Sequence, residues 1–252
     1  MVRIKVWAKA QFKKRECMAK VLLLFCTIFL MGFSQIPTGV IHSCKQAGVV
    51  ALTFDDGITN SSSRILDILA NYQVQASFFL IGETLPTHYS ILKRSYDGGH
   101  TIGNHTWSHQ FLTRLDDVSL DFEILTTQNG FLSLNAIPIK RYLRPPYGAI
   151  NQNVYDKLAT MGFTVVLWNM DLMDWKAHRS KEKIWASFQH QLNNANPAKD
   201  SFILLLHTKE KTADLLPGII SAFKAKNFQL VSLEKCLTPK IFIPYVTSPL
   251  HY

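Results

Sequence analysis

The stretch Val49-Val-Ala-Leu-Thr-Phe-Asp-Asp-Gly57 indicates the fold more strongly than any other part of the chain. Its first six residues are almost all apolar, which is typical of a strand buried inside a protein. Two acidic residues and a glycine follow at once, so the strand is predicted to end in a turn that carries two carboxylates. An apolar stripe with helical spacing then runs through residues 65–72, which predicts a helix directly after this strand.

Strand-like and helix-like runs alternate through the rest of the chain. The other predicted strands cover residues 74–81, 101–102, 142–143, 164–168, 201–206 and 228–231. The other predicted helices cover residues 116–125, 154–161, 184–192 and 213–226, and one more ends at Gly98-Gly99. Alternation with short connections indicates the α/β class and a parallel sheet, which is either an open doubly wound sheet or a barrel. The sequence shows no internal repeat or linker, so we expect a single domain over residues 35–252.

The composition excludes several classes of protein. With 252 residues, of which 47% are hydrophobic and 18% charged, the chain is too apolar for a disordered protein and does not resemble a coiled coil. The net charge of +9 is concentrated near the start, because 7 of the 27 basic residues and 1 of the 18 acidic residues lie in residues 1–34. The rest of the chain has a net charge of only +3. We therefore expect no nucleic-acid partner.

Residues 1–34 have the pattern of a secretory signal peptide. Basic residues up to Lys20 precede an apolar run of 13 residues, 21–33, whereas a helix that spans a bilayer needs roughly 20. The small residues Gly32 and Ser34 suit cleavage before Gln35. Met18 is an alternative translation start, and an uncleaved signal anchor is the main alternative to a signal peptide. The pattern predicts a protein that is secreted to the cell exterior or the cell wall, without a stable membrane span.

Secretion changes how the four cysteines are interpreted. Two of them lie in the segment that would be removed, which leaves Cys44 before the first strand and Cys236 near the end of the last one. In an oxidising compartment we expect one disulfide that joins the two ends of the domain. The alternative is a pair of free cysteines. A zinc site built on them is not expected, because they are far apart and no Cys-x-x-Cys pair is present.

Polar groups follow the predicted strands, and active sites of parallel α/β proteins lie at the carboxyl ends of strands. Asp55 and Asp56 end the first strand and, as neighbours, are expected to face different partners. His105 and His109 have a spacing that would place both rings on one face of a helical turn, within reach of one cation. Together with one of the acids they would form a hydrolytic zinc site with a position open for water. The alternatives are an ordinary turn for the two acids, and surface or core histidines for the pair.

Two further groups end later strands. Arg144 precedes two prolines and Gly148, which predicts a stiff loop, although a plain strand-ending turn would also contain such prolines. Asp174 follows the strand at 164–168, and His207 ends the strand at 201–206. A histidine in that position is either functional or a structural core residue.

Taken in order, five motifs resemble those of the NodB-type polysaccharide deacetylases, carbohydrate esterase family 4. They are TFDDG at 53–57, HTWSH at 105–109, RPPYG at 144–148, MDW at 173–175 and LLLH at 204–207. The similarity covers about residues 47–235 and is greatest to secreted chitin deacetylases. The resemblance implies a distorted (β/α) barrel with fewer than eight regular units.

The resemblance also implies roles for individual residues. Asp56, His105 and His109 would hold one divalent metal, most often zinc, with cobalt and manganese as alternatives. Asp55 would be the general base, oriented by Arg144. A nearby arginine keeps a carboxylate ionised at neutral pH, as a base requires.

The remaining roles concern the leaving group and the substrate. By the resemblance, His207 would be the general acid, tuned by Asp174. The backbone N–H of Tyr147 would stabilise the oxyanion. Trp175 and Leu205 would form the apolar wall that contacts the acetyl methyl group.

The implied function is the metal-dependent removal of N-acetyl groups from GlcNAc units of a polysaccharide, chitin or its oligosaccharides, with release of acetate. We expect a monomer whose only partner is its N-acetylated polysaccharide. A peptidoglycan deacetylase, an acetyl-xylan esterase and a non-catalytic glycan-binding homologue are the alternatives. Every polar residue that the family uses in catalysis is present, which favours an enzyme.

Overall fold

The computed structural model describes residues 36–133 and 140–238. The predicted signal peptide at 1–34 and the last part of the predicted domain, 239–252, lie outside the described residues, so both boundaries stay predictions. Within the described ranges, no helix combines the length and the apolar character that crossing a membrane requires.

The described residues form a sheet in which all strand pairs are parallel. Its strands are β1 (Val49–Asp55), β2 (Ser77–Leu80), β3 (Thr101–Asn104), β4 (Tyr142–Leu143), β5 (Thr164–Val165), β6 (Met170–Asp171), β7 (Phe202–His207) and β8 (Gln229–Leu230). The order is β5-β4-β3-β2-β1-β7-β6, and β8 pairs with the start of β1. The sheet curls into an incomplete barrel, which confirms the predicted α/β class and the distorted (β/α) barrel.

Helices connect most of the strands, as the alternating pattern predicts, and no helix lies between β5 and β6. They are α1 (Ser62–Asn71), α2 (Tyr89–Asp97), α3 (Asp117–Ser133), α4 (Gln152–Thr160), α5 (Lys181–Asn194), α6 (Glu210–Ala225) and α7 (Leu233–Leu237). Short 3₁₀ turns cover Gly82–Thr87, Leu112–Arg114 and Pro146–Gly148. The helices bury their apolar faces against the sheet, and each fully buried leucine or phenylalanine contributes about 1.5–3 kcal/mol relative to an exposed one.

Two strand predictions need correction near residue 168. The predicted strand at 164–168 ends at Val165, and the short strand β6 was not predicted. The reason is that the carbonyls of Val166 and Leu167 accept hydrogen bonds from the Arg144 side chain, at 3.1 and 3.0 Å. The N–H of Val166 still donates to the Leu143 carbonyl of β4, and beyond it the chain pairs again, through β6, with β7.

The centre of the sheet is the pairing of β1 with β7. All seven residues of β1 are buried, and the register runs from Val50 opposite Phe202 to Asp55 opposite His207. This register places the last residue of each strand at the same edge of the sheet. The two most apolar strands thus position an acid and an imidazole side by side.

A disulfide closes the described part of the chain. Cys44 and Cys236 are both buried, and their Cα atoms lie 4.6 Å apart, across 192 residues of sequence. The bond joins the segment before β1 to α7, as predicted from the two cysteines. A link across so long a loop stabilises the fold mainly by restricting the unfolded chain.

His100, just before β3, is a buried titratable group at the end of the sheet away from the candidate site. Its side chain is buried, and Nδ1 accepts a hydrogen bond from the Ala76 N–H at 3.0 Å. Burial, with a smaller effect from the charge of Arg94, lowers the pKa of His100 to about 4. The ordinary value is 6.5. Between pH 6.5 and pH 4, His100 is therefore protonated to a greater extent in the unfolded chain than in the folded protein.

We therefore expect the free energy of unfolding to fall as the pH is lowered through this window, by about 3 kcal/mol from His100 alone. His100→Asn, whose side-chain oxygen can accept the same N–H, should lose most of this part of the pH dependence. The measurement is urea unfolding at pH 7 and pH 4. His190→Asn, at an exposed position, is the control. Identical pH dependence in wild type and His100→Asn would contradict the prediction.

Candidate active site

The candidate site lies at the carboxyl ends of the central strands. Asp55 ends β1, Asn104 ends β3 just before His105, and His207 ends β7. These ends surround a cavity of about 580 Å³. The cavity is lined by Asp55, Asp56, His105, His109, Tyr147, Trp168, Asp171, Trp175, Leu205, His207 and Lys209. The structure therefore brings the predicted site residues together, with Arg144 and Asp174 behind the cavity wall.

Asp56, His105 and His109 form a cluster whose donor atoms lie within 4.8 Å of one another. Asp56 Oδ1 is 3.6 Å from His109 Nε2 and 3.9 Å from His105 Nε2. Ligand atoms around a tetrahedral zinc ion lie roughly 3.4 Å apart, given metal–ligand distances of about 2.1 Å. The spacing of the cluster and its set of two nitrogens and one oxygen therefore fit a divalent metal.

The protonation of the two histidines also suits a metal. His105 Nδ1 lies 2.7 Å from the Arg144 carbonyl, which can only accept, so Nδ1 carries the proton and Nε2 is free to bind. Burial, followed by the charge of His105, lowers the pKa of His109 below its ordinary value. Neutral imidazole is the form that binds metals.

The predicted helical turn at residues 105–109 is wrong. These residues form a loop after β3, and Thr106 and His109 have left-handed φ angles of 68° and 62°. The N–H groups of Trp107 and Ser108 donate to the carboxylate of Glu123 and not to backbone carbonyls. The loop nevertheless brings the two imidazole rings together, with centroids 4.9 Å apart.

Asp55 forms a buried ion pair with Arg144. Asp55 Oδ1 accepts a hydrogen bond of 2.6 Å from the guanidinium, which also donates to the Thr53 hydroxyl at 2.9 Å. Burial lowers the pKa of Arg144, and the charge and hydrogen bond of Asp55 oppose that shift. The other oxygen, Asp55 Oδ2, faces the cluster of Asp56, His105 and His109 and lies 3.8 Å from His105 Nε2. The two neighbouring acids thus have different main partners, as predicted.

His207 is held by a fully buried aspartate. Asp174 Oδ1 lies 2.8 Å from His207 Nδ1, and Oδ2 accepts hydrogen bonds from the His207 N–H and from the Thr212 hydroxyl. Burial lowers the pKa of His207, but Asp174, together with the charges of Asp55 and Asp56, raises it further than burial lowers it. The result is a pKa above the ordinary value, and Nε2 faces Asp56 Oδ2 at 4.0 Å.

The other predicted substrate contacts line the cavity. Tyr147 and Trp175 are 58% and 48% exposed, whereas Leu205 is buried. Tyr147 has a left-handed φ of 60° and stacks on Phe111, with ring centroids 4.0 Å apart. An apolar wall and two accessible aromatic residues therefore lie beside the cluster of Asp56, His105 and His109.

The sequence reasoning did not identify several residues of the site. Thr53 and Thr212 contact predicted site residues, and Glu123 contacts the loop between His105 and His109. Asp171 lines the cavity, where burial raises its pKa. No pattern singles out the two threonines. The sequence does offer a sign for Glu123, because its spacing places it on the same helical face as Leu120 and Ile124, which are both buried.

Comparisons with known proteins identify the family of the chain. A family model described as polysaccharide deacetylase matches residues 42–166. The chitin deacetylase of a Pestalotiopsis species is 32% identical over 81% of this chain and 69% of that protein. The peptidoglycan-N-acetylglucosamine deacetylase of Listeria monocytogenes is 30% identical over 83% of this chain, but only 43% of that protein is covered. The solved chitin deacetylase of Colletotrichum lindemuthianum has a TM-score of 0.74 and 25% identity, over 81% of this chain and 94% of that one.

Proposed function

The chain belongs to the polysaccharide deacetylase family. From that membership we propose that it removes N-acetyl groups from GlcNAc units of a chitin-like polysaccharide. We further propose that the reaction needs one divalent metal, and that this metal is zinc. Membership confirms the resemblance inferred from the five motifs and the class of enzyme, a hydrolase. The proposal rests chiefly on one observation. The cluster of Asp56, His105 and His109 has a carboxylate and an imidazole next to it. Asp55 Oδ2 lies 3.8 Å from His105 Nε2, and His207 Nε2 lies 4.0 Å from Asp56 Oδ2.

Asp56, His105 and His109 would hold the metal. A divalent ion bound there would lower the pKa of a water molecule and would polarise the acetamide carbonyl. Asp55 acts as the general base, because one of its oxygens is fixed by Arg144 and the other faces the cluster. It takes one proton from the attacking water while the water oxygen bonds to the carbonyl carbon.

His207, next to Asp55 at the same edge of the sheet, completes the reaction. The amine is a poor leaving group until it is protonated, and His207 donates that proton as the carbon–nitrogen bond breaks. Asp174 stabilises the protonated imidazole and fixes its orientation through Nδ1. The backbone N–H of Tyr147 stabilises the oxyanion, and Trp175 and Leu205 hold the acetyl methyl group. The products are acetate and a glucosamine unit.

We place the reaction outside the cytoplasm, in the secreted or cell-wall compartment. The buried Cys44–Cys236 disulfide supports this location, because such bonds persist in oxidising compartments. The protein would act as a monomer on its polysaccharide.

The test offers the zinc-loaded protein three substrates separately: chitin oligosaccharides, peptidoglycan fragments and acetylated xylan. We expect loss of acetyl groups from chitin oligosaccharides, detected by mass spectrometry, and loss of activity when the metal is removed by a chelator and in His105→Ala. His42→Ala, outside the cavity, is the matched histidine control.

Each substrate gives a distinct outcome. Activity on peptidoglycan fragments alone would make the protein a peptidoglycan deacetylase, and activity on xylan alone would make it an O-acetyl esterase. Zinc binding without turnover of any of the three would overturn the catalytic proposal for these glycans and favour a glycan-binding protein.

A further inference from the structure

We propose that Glu123, on α3, is a positioning residue that holds the loop at residues 105–109 in its metal-binding conformation. The proposal rests on the metal site proposed above, and it concerns a residue that contacts neither metal nor substrate. Glu123 lies instead behind the loop, where it binds the stretch between the two histidine ligands.

Among the described residues, the hydrogen bonds to the Glu123 side chain all come from this loop. Oε2 accepts the Trp107 N–H at 2.9 Å and the Ser108 N–H at 2.8 Å. Oε1 accepts the Ser108 hydroxyl at 2.5 Å. Only 2% of the Glu123 surface is exposed, and none of the ion pairs among the described residues includes it. A buried carboxylate is costly unless hydrogen bonds compensate it, and here the loop supplies them.

The loop in turn depends on such acceptors. A loop with two left-handed residues that are not glycine is unfavourable for an isolated chain. Even in a helical turn that began at His105, the N–H groups of Trp107 and Ser108 would lie in the first turn and would find no carbonyl partner within it. In the structure the carboxylate of Glu123 accepts both of them.

A second contact ties the start of the loop to the same helix. Asn104 Oδ1 accepts the Thr106 N–H at 2.8 Å, and its amide donates to the Ile124 carbonyl at 3.0 Å. The loop is therefore attached to neighbouring residues of α3 at two points. His109 follows Ser108 directly, so the position of its imidazole depends on the contact with Glu123.

The test measures zinc affinity by calorimetry in the full-length protein. Partners behind metal ligands typically change metal affinity 10- to 100-fold, so we expect Glu123→Ala to raise the zinc Kd by that factor. Glu123→Gln should remain within about threefold of wild type, because its amide oxygen can accept both N–H groups and Ser108 can accept from its NH₂. Gln128→Ala, a truncation at a buried position of the same helix, is the matched control and should bind zinc like wild type.

Other outcomes overturn the inference. If Glu123→Ala has a lower melting temperature but an unchanged zinc Kd, Glu123 only stabilises the fold. If Glu123→Ala does not fold, Glu123→Asp provides the measurement, since it keeps the charge but withdraws the carboxylate by one methylene. An unchanged Kd in that variant would equally reject the proposal. Absence of zinc binding in wild type would instead reject the proposed metal site, and the positioning role with it.

Discussion

We expect Asp55→Asn to lower kcat for acetate release by about 10²- to 10⁴-fold, the usual contribution of a general base. Asparagine has the size of aspartate, and its oxygen can still accept the hydrogen bond from Arg144. It cannot take a proton from water at neutral pH. The measurement is steady-state acetate release from the preferred substrate, with the zinc content determined in the same preparation, since loss of metal would also abolish turnover.

Two details sharpen this experiment. Asp55→Asn removes the charge that balances buried Arg144, so the assay temperature must lie well below the melting temperature of the variant. Asp156→Asn, the same substitution at an exposed aspartate, should leave kcat unchanged. If zinc-loaded Asp55→Asn keeps more than a tenth of wild-type kcat, Asp55 is not the base.

The second large effect concerns stability. We expect Arg144→Met to lower the free energy of unfolding by about 3–5 kcal/mol, because it leaves the buried charge of Asp55 without its partner. The substitution also removes the donors to the carbonyls of Val166 and Leu167. For a domain of this size the melting temperature should fall by roughly 6–20 °C. Urea unfolding and a thermal scan measure both quantities.

A double variant separates the ion pair from the other contacts of Arg144. In Asp55→Asn/Arg144→Met neither charge remains buried, so the loss of stability should be smaller than the sum of the two single losses. Arg141→Met is the control, because Arg141 is exposed and donates one hydrogen bond to the Met161 carbonyl. Its expected cost is about 0.5 kcal/mol or less. Additive losses in the double variant would show that the charge pair itself contributes little.

Much of the fold could be predicted because it depends on local sequence pattern. The apolar run of β1 is short and is followed by a turn signal, which indicates a buried strand, and the stripe after it has the helical period. The two-residue strand β6 has no period to detect, and it exists only because Met170 and Asp171 pair with β7. The strand predicted at 164–168 is shorter for a similar reason, since Arg144 takes the carbonyls that would continue it.

The site could be predicted in its residue types but not in its geometry. His105 and His109 were found from their spacing, and the helical turn proposed to explain that spacing was wrong. The side chain that determines the loop, Glu123, is 15 residues beyond Ser108 on another element. Hydrogen bonds between distant elements leave no periodic trace in a sequence. The one sign available in the sequence was the spacing that places Glu123 on the same helical face as Leu120 and Ile124.

The sequence by itself determined which chemical groups this protein has and at which strand ends they stand, because apolar runs specify buried strands and the polar residues follow them directly. The tertiary structure alone decided how these groups meet. Arg144 reaches Asp55 across 89 residues, and Thr212 reaches Asp174 across 38, through the register and curl of the sheet. Other contacts between elements raise the pKa of His207, through Asp174, and bind the loop at residues 105–109, through Glu123, because both effects depend on burial and on partners that are distant in sequence.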